Sequence, residues 1–147
     1  MGQRVMDEVD VERVLREVDA LRDDLVKAVS DAVRIESVNP KYPGQVYNDV
    51  VGGEGQVSKF VATFYEDLGC GVDLFAVEPG RENAVGVWKG TGGGRSLIFN
   101  GHVDVVPPGD PASLKSGSPF SGRIDNVRVW GRGTTDMKGG IMAQTSL

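Results

Sequence analysis

The stretch LIFNGHVDVVP, residues 97–107, decides how the rest of this sequence is interpreted. It opens with the continuously apolar Leu97–Phe99, a pattern typical of a strand that is covered on both faces. Directly after this predicted strand come His102, the single histidine of the chain, and Asp104. Because residues two apart in extended backbone project to the same side, Asp104 is predicted to approach the His102 imidazole.

This histidine–aspartate pair has two interpretations. A carboxylate on one ring nitrogen fixes the tautomer and leaves the other nitrogen free for a metal, as in many metal sites. A structural histidine satisfied by a nearby carboxylate has the same spacing, and short motifs match by chance. The pair alone leaves both interpretations open.

A second stretch, WGRGTTDMKGG at residues 130–140, lies between a predicted strand and a predicted helix. Its glycines permit unusual backbone angles, and they can hold Asp136 at the sheet edge where α/β proteins place their ligands. A glycine-rich turn in which Asp136 caps the helix explains the same residues. One histidine and one aspartate do not complete a zinc site, which uses three or four protein ligands.

Helical patterns occur in three parts of the chain. The first predicts an amphipathic helix from Asp7 to about Ile35, because its apolar residues recur at three- and four-residue steps. They are Val11, Val14, Leu15, Val18, Leu21, Leu25, Val29 and Ala32. A second helix is predicted around Val57–Leu68, with Gly69 as its C-terminal cap, and a third from Lys138 to Leu147.

Strand patterns lie between the second and third helices. The alternating segments Val72–Val77 and Ala84–Trp88 predict two strands, separated by Pro79-Gly80. Asp125-Asn126 is predicted to be the two-residue turn of a hairpin that ends at Trp130. No linker divides the chain into two compact units.

Composition excludes several classes of protein. The 147 residues include 21 acidic and 16 basic side chains, a balance that argues against a nucleic-acid partner. No apolar run approaches the roughly 18 residues of a membrane span, and the charged residues 1–10 are unlike a secretion signal. The lone Cys70 is typical of a reducing compartment, so we expect a cytoplasmic protein.

Taken together, the two stretches resemble those of a co-catalytic zinc metallopeptidase and deacylase family. Its members include acetylornithine deacetylase, succinyl-diaminopimelate desuccinylase, aminoacylase and glutamate carboxypeptidase. The resemblance continues in Ser37–Pro40, in Gly53–Gly55 and in Asn83-Ala84, and it covers nearly all of the chain. It implies the α/β class: a three-layer α/β/α sandwich around a mixed sheet, incomplete in this chain. Residues 1–147 would be the N-terminal portion of one catalytic domain, and the lid or dimerisation domain would lie outside them.

The same resemblance implies a function and a site. It implies a hydrolase that cleaves the amide bond of an N-acyl amino acid or small peptide through a metal-activated water. Two divalent ions would be bound, zinc or alternatively cobalt or manganese. His102 would ligate one ion and Asp136 would bridge both, while Asp104 would serve catalysis by orienting His102. The peptide bond between Asp136 and Met137 would be cis, and the missing lid would form a homodimer.

Part of the implied machinery lies outside this sequence. The family's Glu-Glu pair, its later acidic ligand and its later histidine ligand have no counterpart in the chain. We therefore expect the 147-residue chain alone to be inactive and to expose apolar surface where the remainder would pack. The alternative hypothesis is a truncated, non-catalytic α/β module that retains only part of the metal site.

Overall fold

The architecture comes from a computed structural model that describes residues 8–110, 112, 114 and 117–145. Along the chain its elements are α1 (Glu8–Ala20), α2 (Arg22–Arg34), α3 (Tyr47–Val50), α4 (Gly53–Asp67), β1 (Gly71–Phe75), β2 (Asn83–Val87), β3 (Arg123–Asp125), β4 (Arg128–Trp130) and α5 (Lys138–Thr145). Within these described residues, no helix has both the length and the apolar character needed to cross a membrane.

The core lies where three helices meet. Each of α2, α4 and α5 contributes small or medium-sized apolar side chains that are fully or nearly fully buried, and burial of such surface is the main favourable term in folding. They are Ala28, Ala32, Val57, Val61, Ile141 and Met142. The core therefore joins the N-terminal helical region to the helix that follows the second sequence motif.

The first predicted helix is divided in two. Leu21, with φ −80° and ψ −3°, interrupts the helical backbone between α1 and α2, although its N–H still donates to the Glu17 carbonyl at 3.2 Å. The start predicted at Asp7 lies outside the described residues. On α1 the apolar side chains are exposed, Leu15 most of all, whereas α2 buries its apolar face in the core.

The other two helix predictions are confirmed, with small differences in the first and last residues of each helix. The second helix is α4, and Gly69 follows it with φ +78°, a left-handed conformation that suits glycine at a helix end. The third is α5, and the last two residues predicted for it lie outside the described residues. The loop before α4 contains the short helix α3.

The strands form two separate antiparallel hairpins. β1 pairs with β2 from Gly71 opposite Val87 to Phe75 opposite Asn83, and β3 pairs with β4. The predicted turn at Asp125-Asn126 is wrong by one position, because Asp125 pairs with Arg128 and the loop is Asn126-Val127. Asn126 takes the positive φ of +50° that such a turn requires.

The strand predicted at Leu97–Phe99 is wrong. These residues adopt no regular secondary structure, and Ile98 is 85% exposed. A strand exists only with a hydrogen-bonded neighbour, and within the described residues the sheets are the pairs β1–β2 and β3–β4 alone. The apolar residues are present, but no strand among the described residues lies beside this segment to pair with it.

One parallel bridge, Val38 opposite Val105, ties the segment after α2 to the segment after His102. The predicted class, an α/β domain that is incomplete in this chain, is confirmed by the mixture of packed helices and small sheets.

Candidate functional site

The His102 segment is held against the residues that follow α2. The Val105 N–H donates to the Ser37 carbonyl at 2.9 Å, and the Asn39 N–H donates to the Val105 carbonyl at 3.0 Å. The Ser37 hydroxyl donates to the Val103 carbonyl at 2.7 Å. The chain between Val103 and Val105 is therefore fixed in position immediately after the histidine.

The second side of this segment packs on α5 through Gly101. A Cβ placed on Gly101 would lie 2.9 Å from Ile141 Cγ1 and 3.0 Å from Met137 Cε. With a larger residue, the Ile141 and Met137 side chains or the segment itself would have to shift. The glycine before His102 thus allows this segment to lie close to α5 and Met137.

His102 lies between two carboxylates. Its Nδ1 is 3.0 Å from Asp104 Oδ1, and its Nε2 is 2.9 Å from Asp136 Oδ1. The predicted approach of Asp104 to the imidazole is confirmed. The contact with Asp136 joins residues 34 positions apart in the sequence, so the two motifs meet at one imidazole ring.

The glycine-rich segment that carries Asp136 is shaped by close contacts. Gly133, with φ +89°, has a conformation that L side chains rarely adopt, and a Cβ there would lie 2.9 Å from Val105 Cγ1. The segment therefore packs directly on the anchored part of the His102 segment. The Asp136–Met137 peptide bond is cis, as the sequence resemblance implied.

Lys138 ties the same segment to the end of α2. Its side chain is buried, and Nζ donates to the carbonyls of Ala32 at 3.0 Å and Ile35 at 2.6 Å. Carbonyls of the last helical turn carry partial negative charge and have room for a further donor, so they are suitable partners for an ammonium group; the Ala32 carbonyl also accepts the Ile35 N–H at 3.3 Å. Burial lowers the pKa of Lys138 to about 8, which leaves it mostly charged at neutral pH.

The electrostatics at His102 follow from its neighbours. Burial acts to lower the pKa of the imidazole, but hydrogen bonds to Asp136 and Asp104 and the charge of Asp104 outweigh it. The His102 pKa is therefore raised above its ordinary value. The Asp104 side chain is 29% exposed and that of Asp136 is 82% exposed, so the Nε2 side of the ring opens to solvent.

The donor set fits part of a zinc site. Nitrogen and carboxylate ligands lie about 2.0–2.2 Å from zinc, so two ligand atoms of one tetrahedral ion are about 3.4 Å apart. His102 Nε2 and Asp136 Oδ1, now at the hydrogen-bond distance of 2.9 Å, would have to separate by only about 0.5 Å to share an ion. Across the described residues, no group of three or more His, Cys, Asp or Glu side chains is arranged to hold a metal ion.

Several residues in this region escaped sequence reasoning. Asn39 donates from Nδ2 to Asp104 Oδ2 at 2.9 Å, although it lies 65 positions from that aspartate. Lys138 was predicted only to begin a helix, and no role was assigned to its side chain. Both lie inside the quoted motifs, but a motif does not say which backbone or side chain a residue contacts in the folded chain.

A buried ion pair supports the loop that precedes α4. Arg81 donates to both Glu54 oxygens, at 2.6 and 2.9 Å, and the Glu54 side chain is almost fully buried. Lys41 and Tyr47 donate to Glu78 near the same turn. These contacts hold residues 41–54, the loop and the first turn of α4, to the turn between β1 and β2.

Comparison with known proteins assigns the chain to a family. Residues 98–147, which contain His102, Asp104 and Asp136, match the model of peptidase family M20/M25/M40. The chain is also 34% identical over 135 residues to the N-formyl-4-amino-5-aminomethyl-2-methylpyrimidine deformylase of Halalkalibacterium halodurans, covering 90% of this chain and 29% of that protein. The chain belongs to peptidase family M20/M25/M40.

Other relatives in this M20 family are desuccinylases. The succinyl-diaminopimelate desuccinylase of Cereibacter sphaeroides is 36% identical over 121 residues, covering 82% of this chain and 28% of that protein. That of Paracoccus denitrificans is 53% identical over 64 residues, covering 44% of the chain and 16% of the protein. The chain thus spans 29% or less of the length of these relatives, which by their names are hydrolases.

Proposed function

We propose that the protein to which this chain belongs is a metal-dependent hydrolase that cleaves the amide bond of an N-acyl amino acid or small peptide. Membership of the M20 family supports amide hydrolysis, and the relatives' names denote removal of a formyl or a succinyl group. Residues 1–147 would form the N-terminal portion of its catalytic domain.

The contact of His102 with both Asp104 and Asp136 carries this proposal. Distant parts of the sequence bring one imidazole and two carboxylates together on a partly open face. A structural histidine is satisfied by one carboxylate and has no need of a second on an exposed nitrogen. The arrangement is that of a ligand oriented on one side and available on the other.

Each residue has a distinct role in the proposal. His102 Nε2 and the Asp136 carboxylate would hold the metal ions, and Asp104 would position His102 through Nδ1. When bound, the metal pair would supply polarisation of the amide carbonyl and activation of a water molecule. Zinc fits these nitrogen and oxygen donors, and cobalt or manganese are alternatives. The general base and the remaining ligands would come from residues outside this chain.

Location and partners complete the proposal. A single cysteine supports a cytoplasmic protein. Its partner would be the small-molecule substrate, with no nucleic acid and no membrane, and a lid domain outside this chain would mediate a homodimer.

One observation favours the alternative for the 147 residues on their own. Because His102 and Asp136 are too few to satisfy two tetrahedral ions, and no larger cluster exists among the described residues, the isolated chain would be a non-catalytic α/β module. The two hypotheses concern different molecules, the longer protein and the chain by itself.

The test is amide hydrolysis by the full-length protein encoded by the gene, with N-formyl, N-acetyl and N-succinyl amino acids as substrates. We expect a chelator to abolish activity and added zinc, cobalt or manganese to restore it. His102→Ala and Asp136→Ala should each lower kcat/KM about 1,000-fold, since a metal contributes several kcal/mol. Asp73→Ala, on exposed β1, is the matched control.

Hydrolysis that survives both the chelator and His102→Ala would contradict the proposal. For the isolated chain, zinc titration should show weak binding and no turnover. Tight binding of two zinc ions by this chain would contradict the non-catalytic alternative.

A further inference from the structure

The two oxygens of Asp104 serve different partners. Oδ1 lies 3.0 Å from His102 Nδ1, and Oδ2 accepts a hydrogen bond from Asn39 Nδ2 at 2.9 Å. Asn39, Asp104 and His102 therefore form a continuous line of polar contacts that ends at the open Nε2 atom. Asn39 comes from the segment after α2, far from the other two in sequence.

We propose that Asn39 is a positioning residue that orients Asp104 and, through it, the imidazole of His102. This inference rests on the proposed metal-dependent function and adds to it a residue that touches neither substrate nor metal. Its role is to hold the plane of the Asp104 carboxylate so that one oxygen always faces Nδ1.

Two contacts, one through the backbone and one through the side chain, set the orientation of the Asn39 amide. Its backbone N–H donates to the Val105 carbonyl at 3.0 Å, which fixes the residue beside the His102 segment. Its Oδ1 accepts the Lys41 N–H at 2.9 Å. Because that contact requires the amide oxygen, the NH2 group must point the other way, toward Asp104.

The contact matters because Asp104 is only partly shielded from water. A carboxylate with 29% of its side chain exposed can rotate and exchange the imidazole for solvent. The Asn39 donor removes this freedom by holding Oδ2. Partners of this kind fix a ligand's tautomer and ring orientation, and their loss typically lowers metal affinity about 10–100-fold.

A purely structural role for Asn39 makes a different prediction. Asn39 and Ser37 both join the same two segments, but only Asn39 contacts Asp104. Ser37→Ala removes the hydrogen bond to the Val103 carbonyl and leaves the Asp104 contact in place. Ser37→Ala is therefore the matched control, because it removes a link between the two segments but keeps the contact that orients Asp104.

The informative variant is Asn39→Asp. It keeps the shape and the Oδ1 acceptor for Lys41 N–H, but it replaces the donor facing Asp104 by a second carboxylate oxygen. The 147-residue chain, labelled with 15N-histidine, has a single imidazole to observe by NMR. Zinc affinity of the same samples is measured by titration calorimetry, and circular dichroism reports whether each variant is folded.

We expect Asn39→Asp to shift the His102 Nδ1 resonance and speed exchange of its Nδ1–H proton, as Asp104→Asn does. Zinc affinity should fall about 3–10-fold, less than for removal of Asp104 itself because the effect is one contact further away. Ser37→Ala loosens the same segment but keeps the Asp104 contact, so it should change both readouts clearly less than Asn39→Asp while lowering the free energy of unfolding. If Asn39→Asp does not fold, Asn39→Ser, whose side chain is one bond shorter and loses the Nδ2 donor, takes its place.

A His102 spectrum unchanged in Asn39→Asp but changed in Asp104→Asn would overturn the inference. So would a Ser37→Ala spectrum that changes as much as that of Asn39→Asp. Zinc affinity of His102→Ala equal to wild type would instead contradict the proposed function, and the NMR comparison would still decide the role of Asn39.

Discussion

The residues on the two sides of His102 share an apolar character but differ in environment. Val105, after the histidine, is 2% exposed and pairs with the segment after α2, whereas Ile98, before it, is 85% exposed. The difference lies in the neighbours. Val105 pairs with Val38 and packs against the segment around Gly133. No strand among the described residues lies beside Leu97–Phe99.

This contrast shows that an apolar pattern predicts surface to be buried but not the element that buries it. Other exposed apolar side chains line the same side of the molecule as the unpaired segment. They are Val85, Val87 and Trp88. The expectation that this chain exposes apolar surface is confirmed, and such patches favour association.

The largest effect is expected on the anchored side, at Lys138. Lys138→Ala removes the Nζ donor from the Ile35 carbonyl, leaves the Ala32 carbonyl with the Ile35 N–H alone, and deletes a buried side chain, so the free energy of unfolding should fall by about 2–5 kcal/mol. Urea denaturation followed by circular dichroism measures the loss. The exposed Lys59 of α4 gives the control Lys59→Ala, with a change within about 0.5 kcal/mol. Equal effects at both lysines would show that the link to α2 contributes nothing to stability.

A direct comparison of the two sides uses matched truncations. Val105→Ala deletes buried methyl groups and should lower the free energy of unfolding by about 1–3 kcal/mol. Ile98→Ala removes exposed atoms and should change it by less than about 0.5 kcal/mol. The same urea titration serves both. A loss at Ile98 as large as that at Val105 would mean that the unpaired segment is covered in solution.

The smallest effect on stability, and a clear one on association, is expected for Ile98→Asp. A charge on an exposed side chain leaves the free energy of unfolding within about 0.5 kcal/mol of wild type. Sedimentation velocity should show the wild-type chain associating as its concentration rises, and Ile98→Asp should shift it toward monomer. Asp73→Asn, an exposed change on β1, should leave association unchanged. If the wild-type chain stays a compact monomer at all concentrations, the exposed apolar surface around Ile98 does not cause association.

The candidate site shows the same division between local pattern and folded contact. The His-x-Asp spacing predicted the contact of His102 with Asp104, because two residues in extended backbone share one side. The approach of Asp136 was implied only by family resemblance, and Asn39 had no predicted role. No local rule relates Asn39 to Asp104, since their contact depends on how the segment after α2 lies beside Val105.

The amino-acid sequence by itself determined the helices, the two hairpins, the family and the two motifs that contain the candidate site residues. Each depends on local periodicity, turn residues or a short motif, and these act over a few positions of the chain. Only the tertiary structure decided the break at Leu21, the exposure of Leu97–Phe99, the burial of Lys138 and the line from Asn39 to His102. These depend on which distant segment supplies a neighbour, because hydrogen bonding and burial are completed between elements rather than within them.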